Sequence, residues 1–194
     1  TTAEGGILAT NSESLANKVR MLRAHGASID VNKNHESKKV LFGSYPIVGH
    51  NYRMSDIHAS LGISQFTRIT TLLAVRLKLA NCYNEAFKNN PMIQIPFVPA
   101  GYYHTFQSYM IRLRDGERIR NTVMQKLLDE GIATRPGVMA SHLEPPYRKL
   151  YPKLSLPVTE IAAAQTIILP LFPQMTEKEQ EYVIDQLKKI LSQI

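Results

Sequence analysis

An asparagine and an arginine two residues apart stand just before an apolar helical pattern. Asn51 and Arg53 lie in the segment GHNYRMSDIHASLG, in which Ser55 is typical of a helix N-cap. The amide and guanidinium groups donate hydrogen bonds, and the first N–H groups of a helix lack partners within the helix and carry partial positive charge. This combination predicts a ligand that carries phosphate or carboxylate groups.

Composition narrows the class of protein. The 194 residues are 44% hydrophobic and 20% charged, which is typical of a globular chain that can bury a core. Cys82 is the only cysteine, so no internal disulfide is expected and a cytoplasmic location is favoured. The longest apolar run, residues 161–172, contains Pro170 and is shorter than the roughly 20 residues that span a bilayer, and no leader peptide is recognisable. We therefore expect no membrane partner.

The net charge of +7 suits several anionic partners, including nucleic acid and small substrates. Its densest patch, residues 32–39, has few apolar neighbours, which favours a solvated loop over a nucleic-acid surface. The six histidines lack a paired cysteine set or an H-E-x-x-H helix, so no metal site is expected.

The apolar periodicity places these groups on elements. It predicts a strand at Gly6–Thr10, then a helix capped by Asn11 or Ser12 and ended by Gly26, then a long loop over residues 27–49. A helix that begins after Ser55 and runs to Lys88, with a bend near Thr70–Thr71, would connect two packed bodies.

Beyond that helix, the pattern alternates short strands and helices. The expected strands or extended segments are residues 92–95, 105–113 and 132–138, and the expected helices are residues 117–131, 142–150 and 158–169. Thr176 and Glu179 form a capping box that opens the last helix, whose inner face we predict from residues 182, 183, 187, 190 and 191. The pattern is that of a helix-rich α/β or α+β protein.

Three segments resemble, in order, the DegT/DnrJ-type sugar nucleotide aminotransferases. They are TTAEGG with its apolar continuation, GHNYRMSDIHASLG, and GIATRPGVMASHLEPPYR followed by LPLFPQMTEKE. The resemblance extends over nearly the whole chain. It implies pyridoxal 5′-phosphate (PLP) as cofactor and the α/β fold type I transferase scaffold.

The resemblance also implies a domain division. Residues 1–70 would be the remainder of the large cofactor-binding domain, with the end of its sheet and the start of the long connecting helix. Residues 71–194 would be the small α+β C-terminal domain. In the family the Schiff-base lysine precedes the TT-x-EGG block by a few residues, so we expect this segment to lack a catalytic residue and to be inactive alone.

Site residues follow from matching positions in the motifs. Asn51 corresponds to the asparagine that reaches across a homodimer to the cofactor phosphate of the other subunit, and Arg53 would enter the same shared active site to bind a substrate carboxylate or diphosphate. His142 and Tyr147 match the H-L-x-P-x-Y block near the sugar site. Gly137 replaces a histidine that many members direct at the sugar, and Arg135 is a candidate to supply an anion contact instead.

The function implied is transfer of an amino group from glutamate or glutamine to a keto sugar nucleotide, in polysaccharide, lipopolysaccharide or deoxyamino sugar biosynthesis. Two alternatives remain open. One is a PLP-dependent sugar dehydratase of the same family, with histidine in place of the lysine. The other is a noncatalytic anion-binding or regulatory module, which a steep salt dependence of DNA binding would support.

Overall fold

Two compact units make up the chain, residues 1–69 and residues 70–194, in a computed structural model that describes residues 1–28, 37–38, 40–114 and 116–194. The α-helices of the described residues are α1 (Glu13–Leu22), α2 (Asp56–Phe66), α3 (Ile69–Phe87), α4 (Glu117–Asp129), α5 (Pro145–Leu150), α6 (Pro157–Gln165) and α7 (Glu177–Leu191). The strands are β1 (Ile93–Gln94), β2 (Tyr109–Leu113), β3 (Arg135–Pro136) and β4 (Thr166–Leu169), and a 3₁₀ turn covers Ser141–Leu143. The architecture is mixed α/β.

The first unit has two helices with well-defined starts. The Ser12 hydroxyl accepts the Leu15 N–H at the start of α1, and the Ser55 hydroxyl accepts the His58 N–H at the start of α2. These caps confirm the two helix starts expected from the sequence. Most of the basic patch at residues 32–39 and much of the loop from residue 27 to residue 49 lie outside the described residues.

The strand expected at Gly6–Thr10 does not form. This segment has no ladder partner among the described residues, and the side chains of Ile7 and Leu8 are 73% and 55% exposed. A strand needs a neighbouring backbone to satisfy its N–H and C=O groups, and this unit supplies none among the residues described.

The expected long helix is interrupted. Helix α2 ends at Phe66 and α3 begins at Ile69, so the break falls at residues 67–68 rather than at the bend expected near Thr70–Thr71. The Thr67 side chain caps this end by donating to the Ser64 carbonyl at 2.8 Å. A threonine hydroxyl that bonds a nearby backbone carbonyl competes with continuation of the helix.

The second unit contains a sheet with the order β1-β2-β4-β3, in which every neighbouring pair is antiparallel. Tyr109, Ile111 and Leu113 alternate inward on β2 and are fully buried. They pack with side chains of α3, α4 and α7, including Tyr83, Phe87, Val123, Leu127 and Leu187. Helices cover one side of the sheet, and the hydrophobic core lies between them.

Residues 166–169 form β4 instead of continuing a helix, which corrects the helix expected over residues 158–169. Thr166, Ile167 and Ile168 are consecutive β-branched residues, which favour the extended backbone. Ile167 and Leu169 are buried. β4 lies inside the sheet, between β2 and β3. Its sequence is a short continuous apolar run, and periodicity alone does not distinguish such a run from a buried helix.

The last helix begins as expected. Thr176 and Glu179 form both hydrogen bonds of a capping box at the start of α7. The predicted inner face is right for residues 183, 187, 190 and 191 and wrong for Tyr182, which is 44% exposed, whereas Ile184 is buried. The Tyr182 hydroxyl instead donates to the Glu130 carbonyl at 3.2 Å, so the ring lies along the edge of the contact with α4.

Candidate functional site

A bend at residues 49–55, between the loop and α2, carries the donor pair. We call it the Asn51 bend. Three backbone hydrogen bonds join it to the end of α1: His50 N–H donates to Leu22 O at 2.7 Å, His25 N–H to His50 O at 2.9 Å and Tyr52 N–H to Arg23 O at 2.9 Å. Ala24 and Asn51 also form an isolated antiparallel bridge. The backbone of the Asn51 bend is therefore fixed by main-chain bonds, and its side chains point outward.

Two glycines permit this contact. A Cβ on Gly49 would lie 2.2 Å from the Gly26 nitrogen and 2.8 Å from the Leu22 carbonyl oxygen. Gly26 has φ +84°, and a Cβ there would lie 1.8 Å from the Ile47 carbonyl oxygen. Backbone atoms occupy the space on both sides, so only glycine allows the segments to approach this closely.

Asn51 and Arg53 are joined by a side-chain hydrogen bond. Arg53 Nε donates to Asn51 Oδ1 at 3.2 Å, and both residues are exposed. The bond engages one of the two lone pairs of the Asn51 amide oxygen, which is the only side-chain acceptor of the pair. The amide N–H₂ of Asn51 and the terminal N–H groups of Arg53 remain as donors. The pair therefore presents a donor-rich surface, which suits a phosphate or carboxylate.

Neighbouring residues hold the bend in shape. The rings of His50 and Tyr52 are stacked with centroids 4.9 Å apart and an angle of 12° between their planes. Ser55, which caps α2, ends the bend. Asn51 and Arg53 are thus set between a stacked ring pair and a capped helix.

The Asn51 bend lines a groove of about 1690 Å³ within the first unit. Residues 6–10, one face of α1 and the bend form its walls. Arg20, Arg23 and Arg53 line it, with Asp56 as the acidic residue among the lining side chains. The excess of guanidinium groups gives the groove a positive potential, which attracts anions.

The other predicted site residues belong to the second unit. Arg135 lies on β3 and is exposed, and its side chain has no hydrogen bond or ion pair within the described part of the chain. Tyr147 lies on α5 with half of its surface exposed. The structure brings the Ser141–Leu143 turn against α5, so His142 and Tyr147 lie on neighbouring elements. Their substrate contacts stay predictions.

His142 has a local partner. Its side chain is 7% exposed, and its Nε2 lies 3.1 Å from Glu160 Oε1. The same carboxylate oxygen accepts the Leu156 N–H at 2.8 Å and the Ser155 hydroxyl at 3.2 Å. Glu160 therefore ties the 3₁₀ turn to the start of α6. The Leu156 and His142 hydrogen bonds lower the pKa of Glu160 below its ordinary value of 4.5.

This pKa shift predicts a pH-dependent contribution to stability. A carboxylate whose pKa is lower in the folded state stabilises that state above its unfolded pKa, and the contribution is lost as pH falls through the folded pKa. We expect Glu160→Gln to melt at a lower temperature than wild type at pH 7, and we expect the difference to shrink below pH 4.5. Thermal unfolding of both proteins between pH 7 and pH 3 measures it. A difference that stays constant with pH would contradict the role of the ionised carboxylate.

Gly137 has no room for a larger side chain. A Cβ there would lie 2.5 Å from Met110 Sδ and 2.6 Å from Thr166 Cβ. The Gly137 N–H continues the β3–β4 pairing by donating to the Thr166 carbonyl at 3.0 Å. The Met110 side chain thus occupies the space that a larger residue would need.

We expect Gly137→Ala to destabilise the second unit by about 1–3 kcal/mol, because the flexible end of Met110 can move but the Thr166 Cβ, attached directly to the backbone of the central strand, cannot move freely. The loss would appear as a melting temperature several degrees lower in thermal unfolding. A melting temperature equal to that of wild type would show that Met110 and Thr166 do not confine this position.

Some residues of the site gave no recognisable signal in the sequence. Glu160 is 18 residues from His142, and no local pattern links them. The sequence pattern also does not indicate the contact between Gly26 and Gly49, although each glycine marks the end of an element. Searching for pairs of glycines that flank a long loop would have suggested a close backbone approach.

Two features are absent from the described ranges of the chain. No group of three or more His, Cys, Asp or Glu side chains there could hold a metal ion. Nor does the described chain contain a helix that is long and apolar enough to cross a membrane.

Comparison with solved structures supports the fold. The chain is similar to the aminotransferase TlmJ from Streptoalloteichus hindustanus, at 23% identity and TM-score 0.78 over 94% of this chain and 46% of that one. It is similar to Helicobacter pylori PseC, an aminotransferase involved in pseudoaminic acid biosynthesis, at 21% identity and TM-score 0.81 over 95% and 48%. The PLP form of the putative sugar aminotransferase Spr1654 from Streptococcus pneumoniae matches at 22% identity and TM-score 0.79 over 95% and 45%.

The chain spans less than half the length of these structures, and its fold is that of part of a fold type I transferase. Its own sheet is antiparallel and lies in the second unit. The PLP form of Spr1654 and the family match given next support PLP as the cofactor. A model of the DegT/DnrJ/EryC1/StrS aminotransferase family matches residues 1–188, and the chain belongs to this family.

Proposed function

We propose that this chain works as part of a PLP-dependent aminotransferase that transfers an amino group from glutamate or glutamine to the keto group of a sugar nucleotide. The observation that carries the proposal is the donor-rich pair of Asn51 and Arg53 on a fixed bend. Family membership supports the reaction class. The biosynthesis of polysaccharide, lipopolysaccharide or deoxyamino sugars is the setting we infer.

The residues present fit the phosphate of PLP. Asn51 has its acceptor oxygen engaged by Arg53, so its amide donates outward, as a phosphate oxygen requires. When bound, PLP supplies the electron sink for amino transfer. The part of this chain is to bind and orient: Asn51 donates to the phosphate, and Arg53 binds a carboxylate or diphosphate of the substrate.

We propose that these contacts are made to the active site of a second subunit. Within the described part of the chain, the outer donors of Asn51 and Arg53 make no other hydrogen bond. A two-fold symmetric dimer would let each subunit complete the site of the other with the same bend. In this arrangement residues 1–70 form the remainder of the cofactor domain, and residues 71–194 form the small domain.

Substrate binding would also use the small domain. Arg135 is exposed on an edge strand and offers a guanidinium to an anionic group. Tyr147 offers a half-exposed ring and hydroxyl. Glu160 holds the ring of His142, so we propose that this ring keeps a fixed orientation within the Ser141–Leu143 turn.

An activity assay of the full-length enzyme loaded with PLP tests the proposal. Keto sugar nucleotides would be incubated with glutamate or glutamine, and products identified by mass spectrometry. We expect an amino group to replace the keto oxygen. A product that has instead lost water would identify the dehydratase, and a protein with neither activity that binds unrelated DNA with steep salt dependence would identify the noncatalytic alternative.

A further inference from the structure

The sheet of the second unit has one face opposite the hydrophobic core, which we call the outer face. Strand pairing determines which residues stand on it. Arg112 on β2 is opposite Thr166 on β4, and Arg135 on β3 is opposite Ile168 on β4. Thr166 and Ile168 are two residues apart and so point to the same side of the strand. Arg112 and Arg135 therefore share the outer face, on either side of β4.

Their spacing suits a ligand with two anionic groups. Two strand spacings across the sheet and two residues along it place the Cα atoms of Arg112 and Arg135 about 12 Å apart. Both residues are exposed. Met110 is opposite Ile168 between them, is 37% exposed, and gives the middle of the face an apolar surface.

Arg112 is oriented by a neighbour. Its Nε donates to Gln165 Oε1 at 2.5 Å, at the end of α6. The bond uses one guanidinium donor and leaves the Nη1 and Nη2 groups to bind a ligand. Gln165 is neutral, so it orients the cation without cancelling its charge.

The described strand residues of the outer face carry no acidic group. Apart from the two arginines, these residues are Gln94, Met110, Thr166 and Ile168, none of which is acidic. Two arginines without a carboxylate on the same described face produce a positive field, and arginine binds phosphate oxygens in a planar, two-point manner.

We propose that Arg112 and Arg135 together bind the diphosphate of the sugar nucleotide on the outer face, with Gln165 as the positioning residue for Arg112. The inference rests on the proposed function for the identity of the ligand. It adds Arg112, Gln165 and Met110 to the substrate site, and it assigns Arg135 a definite chemical partner.

Calorimetry on the full-length PLP enzyme tests this proposal. The ligands to be titrated are inorganic pyrophosphate and the nucleoside diphosphates UDP, dTDP and GDP. We expect Arg112→Gln and Arg135→Gln each to weaken the tightest of these interactions about tenfold or more, which is the loss of a charge-assisted contact. Arg118→Gln is the matched control, because Arg118 is exposed on α4 and its loss changes the net charge equally. It should leave affinity unchanged.

A second set of variants covers the possibility that a substitution affects folding. Arg112→Lys keeps the charge but loses two-point binding, and Gln165→Met leaves Arg112 intact but unoriented. Both variants should bind the tightest nucleoside diphosphate more weakly than wild type does, and both should keep the wild-type melting temperature. The corresponding nucleoside without phosphates should bind all the proteins with the same affinity.

Several outcomes would overturn the inference. One is a diphosphate affinity of Arg112→Gln equal to that of Arg118→Gln. Another is a higher KM of Arg112→Gln for glutamate with an unchanged KM for the sugar nucleotide. Either result removes the diphosphate site even if amino transfer is demonstrated. Conversely, diphosphate binding that depends on both arginines in a protein without amino transfer would support the site and contradict the proposed function.

Discussion

Gly49→Ala is expected to release the Asn51 bend from α1 and to abolish most PLP binding by the full-length enzyme. The new methyl carbon would lie 2.2 Å from the Gly26 nitrogen, 2.6 Å from the His25 carbonyl carbon and 2.8 Å from the Leu22 oxygen. All three are backbone atoms, so no side-chain rotation relieves the overlap. The cost lies at the upper end of the about 1–3 kcal/mol typical of overpacking, and the backbone bonds that fix the bend must break or lengthen.

Gly6→Ala is the matched control for this variant. A Cβ at Gly6 meets no atom within 4 Å, and the position belongs to the same unit. Titration of the apoenzymes with PLP, followed by absorbance, compares the two proteins. Wild-type affinity in Gly49→Ala would show that the close approach does not hold the cofactor contact in place.

Asn51→Ala is expected to weaken PLP retention in the full-length dimer without unfolding it. The substitution deletes a charge-assisted hydrogen bond to phosphate, worth about 1.5–3 kcal/mol, which corresponds to roughly a tenfold to hundredfold loss of affinity. It also removes the acceptor that orients Arg53. The fold should persist because the side chain is exposed and the bend is held by its backbone.

Two further variants separate these effects. Asn51→Asp keeps an oxygen for Arg53 but places a negative charge beside the phosphate, so it should bind PLP more weakly than Asn51→Ala. Asn17→Ala removes a similar exposed pair on α1, in which Arg20 Nη1 donates to Asn17 Oδ1 at 2.9 Å, and should retain PLP normally. Equal PLP affinity in the alanine variant at Asn51 and in wild type would contradict the assignment.

Local signals made parts of the fold predictable. Helix starts at Ser12, Ser55 and Thr176 were correct because a capping side chain bonds a backbone N–H within three residues. The end of α4 was also correct, because Gly131 adopts φ +76° and completes a C-terminal turn with Leu128. Each of these features depends on residues close in sequence.

Two of the errors depended on partners distant in sequence. The segment that forms β4 was expected to be helical because its apolar run carries no period, and only pairing with β2 and β3 defines it as a strand. The strand at Gly6–Thr10 was expected from its apolar pattern, but no neighbouring strand meets it in the described chain. Secondary structure that needs a partner is poorly determined by its own residues.

In the candidate site too, features that depend on nearby residues were predictable and contacts between distant residues were not. The spacing of Asn51 and Arg53 before a capped helix identified the donor pair, and the structure adds the hydrogen bond that joins the two side chains. The Gly26–Gly49 approach and the Glu160–His142 contact join residues 18 or more positions apart. No pattern within one element predicts such contacts.

Mixed dimers test most directly whether the Asn51 bend completes the active site of a neighbouring subunit. Full-length subunits carrying Asn51→Asp would be combined with subunits in which the Schiff-base lysine is replaced by alanine, each being inactive or nearly so alone at limiting PLP. If Asn51 acts across the interface, one site of each hybrid is intact, and the mixture should recover about a quarter of wild-type amino transfer. No recovery, in a mixture shown to contain hybrid dimers, would contradict the shared site.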